Sequence, residues 1–530
     1  MQPSTKTYTY NRPVRSPIPA PNLSRQAHAI VIGSGFGGLA AAIRLGAKGY
    51  RVTVLEKLDD IGGRAYVHRR GGYTFDAGPT IVTAPFLLEE LWTLCGKTMS
   101  NHVTLKPLDP FYRIRFDDGT WFDYSGDPEK MRREVERFCP DDVAGYEAFF
   151  EAAQMRYRLG FNELSAVAFD TLGDLMAALP SMLRMQAWQS IHSLVARYIK
   201  NPKLRMVFSF HPLLIGGNPF SVTCVYALIN SLERQHGVHW AMGGTGALIR
   251  GLADLILGQG NVIRCQAEVK EIRIENRTAV GVALSSGEII DADIVVSNAD
   301  TAWTYKHLIA QRHRRHWTDS KIERMKSSMS LFVWYFGTKQ QYPEVLHHMI
   351  LMGPRYQQLL ADIFKRHHLA EDFSLYLHRP SASDPSVAPA GHDTFYVLSP
   401  VPHLGSGVDW ATKAEPYRQA IARFLDAAIM PGFEANITES FVTTPADFQN
   451  RLLSFRGAAF GPEPTLLQSA WFRPHNRSED IDRLFMVGAS THPGAGIPGV
   501  ISSAKALESV LPDPGELNIR QTPSAHATLS

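Results

Sequence analysis

His28-Ala-Ile-Val-Ile-Gly33, then Ser-Gly35-Phe-Gly-Gly38, then Leu39-Ala-Ala-Ala-Ile-Arg-Leu-Gly-Ala47, is the stretch that decides how this chain folds. A short β-branched run stops at a glycine and passes into a series of strong helix formers. Lys48-Gly49 ends that helix, and Tyr50-Arg-Val-Thr-Val-Leu-Glu56 reads as a second buried strand. The result is a βαβ unit with a glycine-rich first turn. Gly33 permits the tight turn, and Gly35 lets the backbone approach a pyrophosphate. Gly38 lets the helix pack closely on the strand, while the amides of the helix N-terminus face the phosphates. Glu56, at the end of the second strand, is placed to accept hydrogen bonds from an adenosine ribose. The unit predicts a Rossmann-type dinucleotide fold of the α/β class.

The rest of the chain is too long to be one such unit. At 530 residues it exceeds the size at which a single core stops growing. Hydrophobic residues make up 45% and charged residues 20%, as in an ordinary globular protein. With 54 basic against 51 acidic residues the net charge is only +3, which argues against nucleic acid as a partner. Cys95, Cys139, Cys224 and Cys265 are far apart and form no CxxC pair. They read as reduced thiols of a cytoplasmic protein, with neither a disulfide framework nor a metal site. No apolar run is long enough to span a membrane. Residues 1–27 lack a signal-peptide core and are expected, with 512–530, to be disordered.

Outward from the first unit, the texture changes several times. Residues 28–104, 240–304 and 481–511 have α/β character, so the nucleotide domain is expected to be discontinuous. Residues 105–162 and 305–480 read as a mixed α+β domain for substrate, and 163–239 as largely helical. A second glycine cluster, Gly243-Gly-Thr-Gly246, follows Trp240-Ala-Met and has no acidic residue suitably placed after it. It reads as the turn into a helix, so no NAD(P) site is evident.

Downstream of Glu56 come Gly62-Gly63-Arg64 and Phe75-Asp-Ala-Gly-Pro-Thr80. The series GxGxxGG, Glu, GGR resembles the FAD enzymes of the amine oxidase and desaturase superfamily, in which the GGR arginine lies along the flavin diphosphate. Further motifs narrow the resemblance. Ser209-Phe-His-Pro-Leu-Leu-Ile-Gly-Gly-Asn-Pro-Phe220, Glu371-Asp-Phe-Ser-Leu-Tyr-Leu-His378 and Pro400-Val-Pro-His-Leu-Gly405 are similar to those of the bacterial-type phytoene desaturases. So are Gln468-Ser-Ala-Trp-Phe-Arg-Pro-His-Asn476 and Gly488-Ala-Ser-Thr-His-Pro-Gly-Ala-Gly-Ile-Pro-Gly499, and the likeness covers residues 28–510. It implies FAD as cofactor and removal of hydrogen pairs from 15-cis-phytoene, giving neurosporene or lycopene. It assigns to the cofactor Gly33, Gly35, Gly38, Glu56 and Lys57 from the first segment, and Gly63 and Arg64 from the second. Val269, Gly488, Ile497 and Pro498 complete that set from farther along the chain. Oxygen or a quinone would reoxidise the flavin. Two other readings stay open on the residues alone: an amine or protoporphyrinogen oxidase of the same fold, and a redox-neutral carotenoid isomerase.

Dehydrogenation of CH2–CH2 also needs a proton acceptor. Asp174 stands in the otherwise apolar Phe169-to-Pro180 stretch, where a carboxylate would have a raised pKa and could exchange protons. A helix N-terminal cap following Gly173 explains it better, and the two roles are not exclusive. His492, between Thr491 and Pro493, is the second catalytic candidate, although shaping the turn near the flavin explains it better. His211 reads as a buried histidine satisfied by backbone. Residues 168–199 mix Leu, Met and Trp with Arg184 and Arg197 and are divided by Pro180. They suggest two amphipathic helices lying in a membrane surface. The expected location is therefore cytoplasmic, attached peripherally to the inner face of the cell membrane.

Overall fold

The computed structural model describes residues 26–517. Most of the expected disordered ends lies outside these, but the parts described are packed. Ala27 is 1% exposed, Leu517 is 8% exposed, and Tyr50 Oη donates to the carbonyl of Pro512 at 2.8 Å. The ordered body thus reaches further at both ends than the sequence suggested.

Five parallel strands form the first sheet, in the order Leu484–Met486, Ile294–Ser297, His28–Ile32, Arg51–Leu55, Val262–Arg264. They come from three separated stretches of chain. Val31 stands between Val54 and Val296, and the whole of His28–Ile32 is buried. Continuous apolar strands of this kind are what a parallel sheet covered on both faces requires. The helices Phe36–Ala47, Thr245–Gly258 and Ile497–Glu508 pack together over one face. Gly38 sets how closely the first of these can approach, because a Cβ there would lie 2.0 Å from the Gly33 carbonyl oxygen.

The second sheet has seven strands, running from Ile437–Thr443 through Ser330–Thr338, Asp393–Val401, Leu375–His378, His348–Leu351 and Tyr112–Arg115 to Trp121–Tyr124. All pairs are antiparallel except His348–Leu351 with Tyr112–Arg115. Ser330–Thr338 is buried over its whole length, and its two faces meet different partners. Phe332, Trp334 and Phe336 pack on one side with Trp410, Ile421 and Leu425 of the helix Trp410–Ala428. Leu331, Val333 and Tyr335, on the alternate face, line a cavity. A small three-stranded antiparallel sheet, Val269–Glu275, Thr278–Leu284 and Ile289–Asp291, flanks the first.

In the chain between Trp121–Tyr124 of the second sheet and Val262–Arg264 of the first come the helices Leu172–Arg184, Ile191–Tyr198, Pro202–Ser209 and Leu228–His236. Pro180 sits inside the first of them and does not divide it, contrary to the sequence reading. The break falls instead after Met185, where the chain turns to reach the Ser190 N-cap of the next helix. Among the described residues no helix is long and apolar enough to cross a membrane.

Candidate active site

One cavity of about 770 Å³ runs from the glycine-rich turn to the inner face of the seven-stranded sheet. Its first end is made by the turn itself. Glu56, 5% exposed at the end of its strand, accepts from Ser34 N at 2.8 Å, Ser34 Oγ at 2.5 Å and Leu58 N at 2.9 Å. These bonds fold the turn back over the strand end, with Gly33 and Gly35 on the cavity wall. Gly38 is not on the wall and acts through packing. Lys57 Nζ lies 3.4 Å from Glu268 and donates to Asn450 O at 3.1 Å, and Val269 follows on the same wall.

Gly63 and Arg64 continue the wall. Arg64 Nη2 donates to Ser454 Oγ at 2.9 Å, while its Nε is buried without a partner. Burial holds this guanidinium below its ordinary pKa, and nearby Asp300 pulls it back up. A half-buried cation with a buried, unmatched N–H beside a cavity is suited to an anionic group such as a diphosphate.

The C-terminal loop closes this end. Gly488 has φ +101°, and a Cβ there would meet Asn298 Oδ1 at 2.5 Å. Asn298 also wedges against Gly35, Gly37 and Gly38, a role the sequence did not reveal because Asn298 is remote from the glycines it serves. Arg473, 2% exposed, donates to Ala489 O at 2.6 Å and Thr491 O at 3.0 Å, clamping the loop backbone. Ile497 and Pro498 open the following helix on the cavity wall. The cradle, the orphaned Arg64 donor and the helix N-terminus together fit a flavin dinucleotide.

His492 lines the cavity, buried, with its ring edge-on to Phe169 at 4.8 Å. Its Nε2 bonds the Leu164 carbonyl at 3.2 Å, and burial lowers its pKa to about 3. This neutral ring ties the loop to the helical region, the geometry of a turn-shaping residue.

Asp174 requires a correction. It is half-exposed, does not line the cavity, and sits in a capping box. Its Oδ2 accepts from Thr171 N at 2.8 Å and Thr171 Oγ1 at 2.9 Å, and its own N–H returns to Thr171 Oγ1 at 3.2 Å. Leu172, Met176 and Leu179 beside it are exposed, so they do not enclose the carboxylate. Thr171, not Asp174, is the N-cap.

His211 is also not what the sequence suggested. It is fully buried, yet neither ring nitrogen has a hydrogen-bond partner. Its Nε2 lies 3.2 Å from Glu233 Oε2, close enough for an ion pair but too poorly aligned for a hydrogen bond. Glu233, on the cavity wall, went unnoticed because helix Leu228–His236 carries no motif that marks it.

The second glycine cluster leads into Thr245–Gly258, and Asp76 occupies that helix N-terminus, accepting from Thr245 N at 3.0 Å. Burial raises the Asp76 pKa to about 6. Sequence reading also named no metal ligands. The register of His348 opposite His378 nonetheless brings His347, His348 and His378 together, buried, with their ligand atoms within 4.8 Å. All three are already bonded, His348 Nδ1 to Tyr376 Oη at 2.6 Å, His347 Nδ1 to Ser383 Oγ at 2.8 Å and His378 Nδ1 to the His347 carbonyl at 3.3 Å.

Fold and cradle define a flavin-dependent oxidoreductase with a mostly apolar cavity beside the cradle. Residues 36–506 match the family model of flavin containing amine oxidoreductases. A neurosporene-forming phytoene desaturase of Cereibacter sphaeroides is 51% identical over 490 residues, 92% of this chain and 94% of that one. A lycopene-forming phytoene desaturase of a Paracoccus species is 46% identical, over 91% of this chain and 97% of that one. Among solved structures, cyclohexylamine oxidase from Brevibacterium oxydans superposes with a TM-score of 0.58 at 16% identity, covering 92% of this chain and 98% of that one. The chain belongs to the flavin containing amine oxidoreductase family and, within it, to the bacterial-type phytoene desaturases. Its cofactor is FAD.

Proposed function

We propose that the chain dehydrogenates phytoene stepwise to neurosporene or lycopene at a membrane surface, with oxygen or a quinone as the final electron acceptor. The observation that carries this reading is the chamber itself. Beyond the cofactor cradle its wall is mostly apolar, with Phe210, Leu213, Ile229, Leu331, Val333 and Ile350 set among tyrosines such as Tyr335 and Tyr376. A hydrocarbon loses nothing by entering such a wall, whereas an amine would need a partner for its charge. When bound, FAD supplies at N5 the acceptor for a hydride. The protein's own tasks are to bind the cofactor, hold the polyene in register, exclude water and receive a proton.

In the cradle, Glu56 is assigned to the adenosine ribose, Arg64 with Lys57 to the diphosphate, and Ile497 and Pro498 to the isoalloxazine side. Asp76 already fills the second glycine turn, which supports reduction of the flavin by the substrate and not by NAD(P)H.

Membrane attachment rests on a stripe along one helix. Leu172, Met176, Leu179 and Leu183 recur at spacings of a single helical face and are 63%, 60%, 36% and 62% exposed, with Trp188 at 61% just beyond. Met182 and Met185, from the same segment, line the cavity. An apolar outer face next to an apolar chamber gives a lipid-dissolved substrate a route inward. We assign this face to peripheral attachment at the inner surface of the cell membrane.

The test is incubation of the FAD-loaded protein with phytoene liposomes in air or with a quinone. Banded visible absorption moving to longer wavelength is the expected result, and its end point counts the steps. Phytoene recovered intact would exclude the reading. A product of unchanged conjugation but altered geometry would point to an isomerase.

A further inference from the structure

The seven-stranded sheet carries a second cluster of chemistry-bearing side chains, outside the cavity. His348 and His378 stand directly opposite each other on adjacent antiparallel strands, and His347 precedes the first of them. His347 is 7% exposed and the other two are 1% exposed. The ring of His347 lies 4.4 Å from that of His348 and 5.0 Å from that of His378, and the last two are 5.0 Å apart. Among the described residues this is the one group of three or more His, Cys, Asp or Glu whose potential ligand atoms all lie within 4.8 Å of one another. None of the three is on the cavity wall, so neither the cofactor nor the substrate accounts for them.

Ser383 Oγ, Tyr376 Oη and the His347 carbonyl engage only the Nδ1 atoms, and the Nε2 of every ring is buried without a partner. Protein interiors rarely leave three such nitrogens in one place, and an ion site is one setting that retains them. Burial also keeps the rings neutral. It lowers His347 to about 3 and holds His348 and His378 well below the usual imidazole range. Neutral imidazoles are the donors that zinc and similar divalent ions take. With metal–nitrogen bonds of about 2.0–2.1 Å, the ligands of a tetrahedral ion lie about 3.3 Å apart. His348 Nδ1 and His378 Nδ1 already stand at 3.2 Å. The third nitrogen lies within 4.8 Å of both, a gap that rotation of an imidazole can close. Tyr376 Oη, 2.6 Å from His348 Nδ1, is near enough to serve as a fourth ligand. The surrounding charges do not oppose a cation, since Asp384 stands near His347 with Lys106, and Arg379 is paired with Asp393 at 3.0 Å.

We propose that His347, His348 and His378 bind one divalent ion of the zinc type, each through one ring nitrogen, with Tyr376 Oη at the fourth position. The ion is structural and takes no part in the flavin chemistry, so the inference stands apart from the choice of substrate. It ties the strand His348–Leu351 to the strand Leu375–His378 at one end of their pairing. Those strands supply Ile350, Leu375 and Tyr376 to the cavity wall, which the ion thereby holds in register. Ser383 fixes the ring of His347, the part that outer partners play around a bound metal. His347 and the half-buried Ser383 form the side nearest solvent, through which an ion enters.

The experiment is titration of tag-free, FAD-loaded, chelator-treated protein with Co²⁺ and then Zn²⁺. Wild type should take up a single Co²⁺ per chain, with tetrahedral cobalt absorption at longer wavelength than the flavin bands, and Zn²⁺ should displace it. The melting temperature should rise with free Zn²⁺ and fall again on chelation. His378→Gln should weaken Co²⁺ binding by about 100-fold or more and Ser383→Ala by about tenfold, both with FAD content unchanged. Wild type that takes up neither ion at micromolar concentration would overturn the assignment, as would undiminished uptake in His378→Gln. Should His378→Gln fail to fold, X-ray absorption at the zinc edge of the wild-type protein decides. Three imidazoles around the ion would uphold the site, and fewer imidazoles or a shell of oxygens would overturn it.

Discussion

The two ends of the cavity are built by opposite means. At the cofactor end, backbone and short-range spacing do most of the work. Gly33, Gly35 and Gly38 shape a turn, Glu56 folds it down through Ser34, and Arg473 holds the facing loop by its carbonyls. At the substrate end, side chains far apart in sequence meet through sheet register and helix facing. Tyr112 from one strand, His211 from a turn and Glu233 from a helix converge there. The first construction is rigid and intolerant of added volume. The second depends on which face each strand and helix turns inward.

This contrast can be broken in order of effect. Gly38→Val is the most damaging change, because even a Cβ lies 2.0 Å from the Gly33 carbonyl oxygen. It should yield protein without FAD, or none that folds, with a stability loss of about 3 kcal/mol or more; flavin absorbance per protein and thermal melting check this. Retention of FAD would show that the turn is looser than the contact implies. Arg64→Leu should leave the fold intact and weaken FAD binding by roughly 10- to 100-fold, on the order of one charged hydrogen bond. Flavin fluorescence titration measures it, and unchanged affinity would remove Arg64 from the diphosphate.

Smaller effects lie on the outer helix. Leu172→Ser with Leu183→Ser should lower binding to liposomes by about tenfold, taking roughly 1 kcal/mol or less for each partly inserted side chain. FAD content should not change. Flotation equal to wild type would place the membrane contact elsewhere. The smallest effect is expected of Asp174→Asn. Loss of its half of the capping box should cost about 0.5–1 kcal/mol in thermal stability while turnover stays near wild type. Complete loss of turnover with FAD bound would return Asp174 to the chemistry.

How much was legible follows from the same contrast. The βαβ unit could be read, because it depends on residues a few positions apart. Asp174 was misread for the same reason in reverse. Its apolar sequence neighbours turned out to face solvent, and sequence proximity carried no information about which side of the helix met the chamber. His211 was noticed but not understood, since its partner Glu233 lies on a separate helix.

The sequence by itself determined the dinucleotide turn and the family, since the first rests on local backbone geometry and the second on motifs spread along the chain. Only the tertiary structure decided which helix face is left bare, that Glu233 meets Tyr112 and His211, and that three histidines meet beside Tyr376. These depend on register and facing, where a shift of one residue in a strand turns every side chain to the other side.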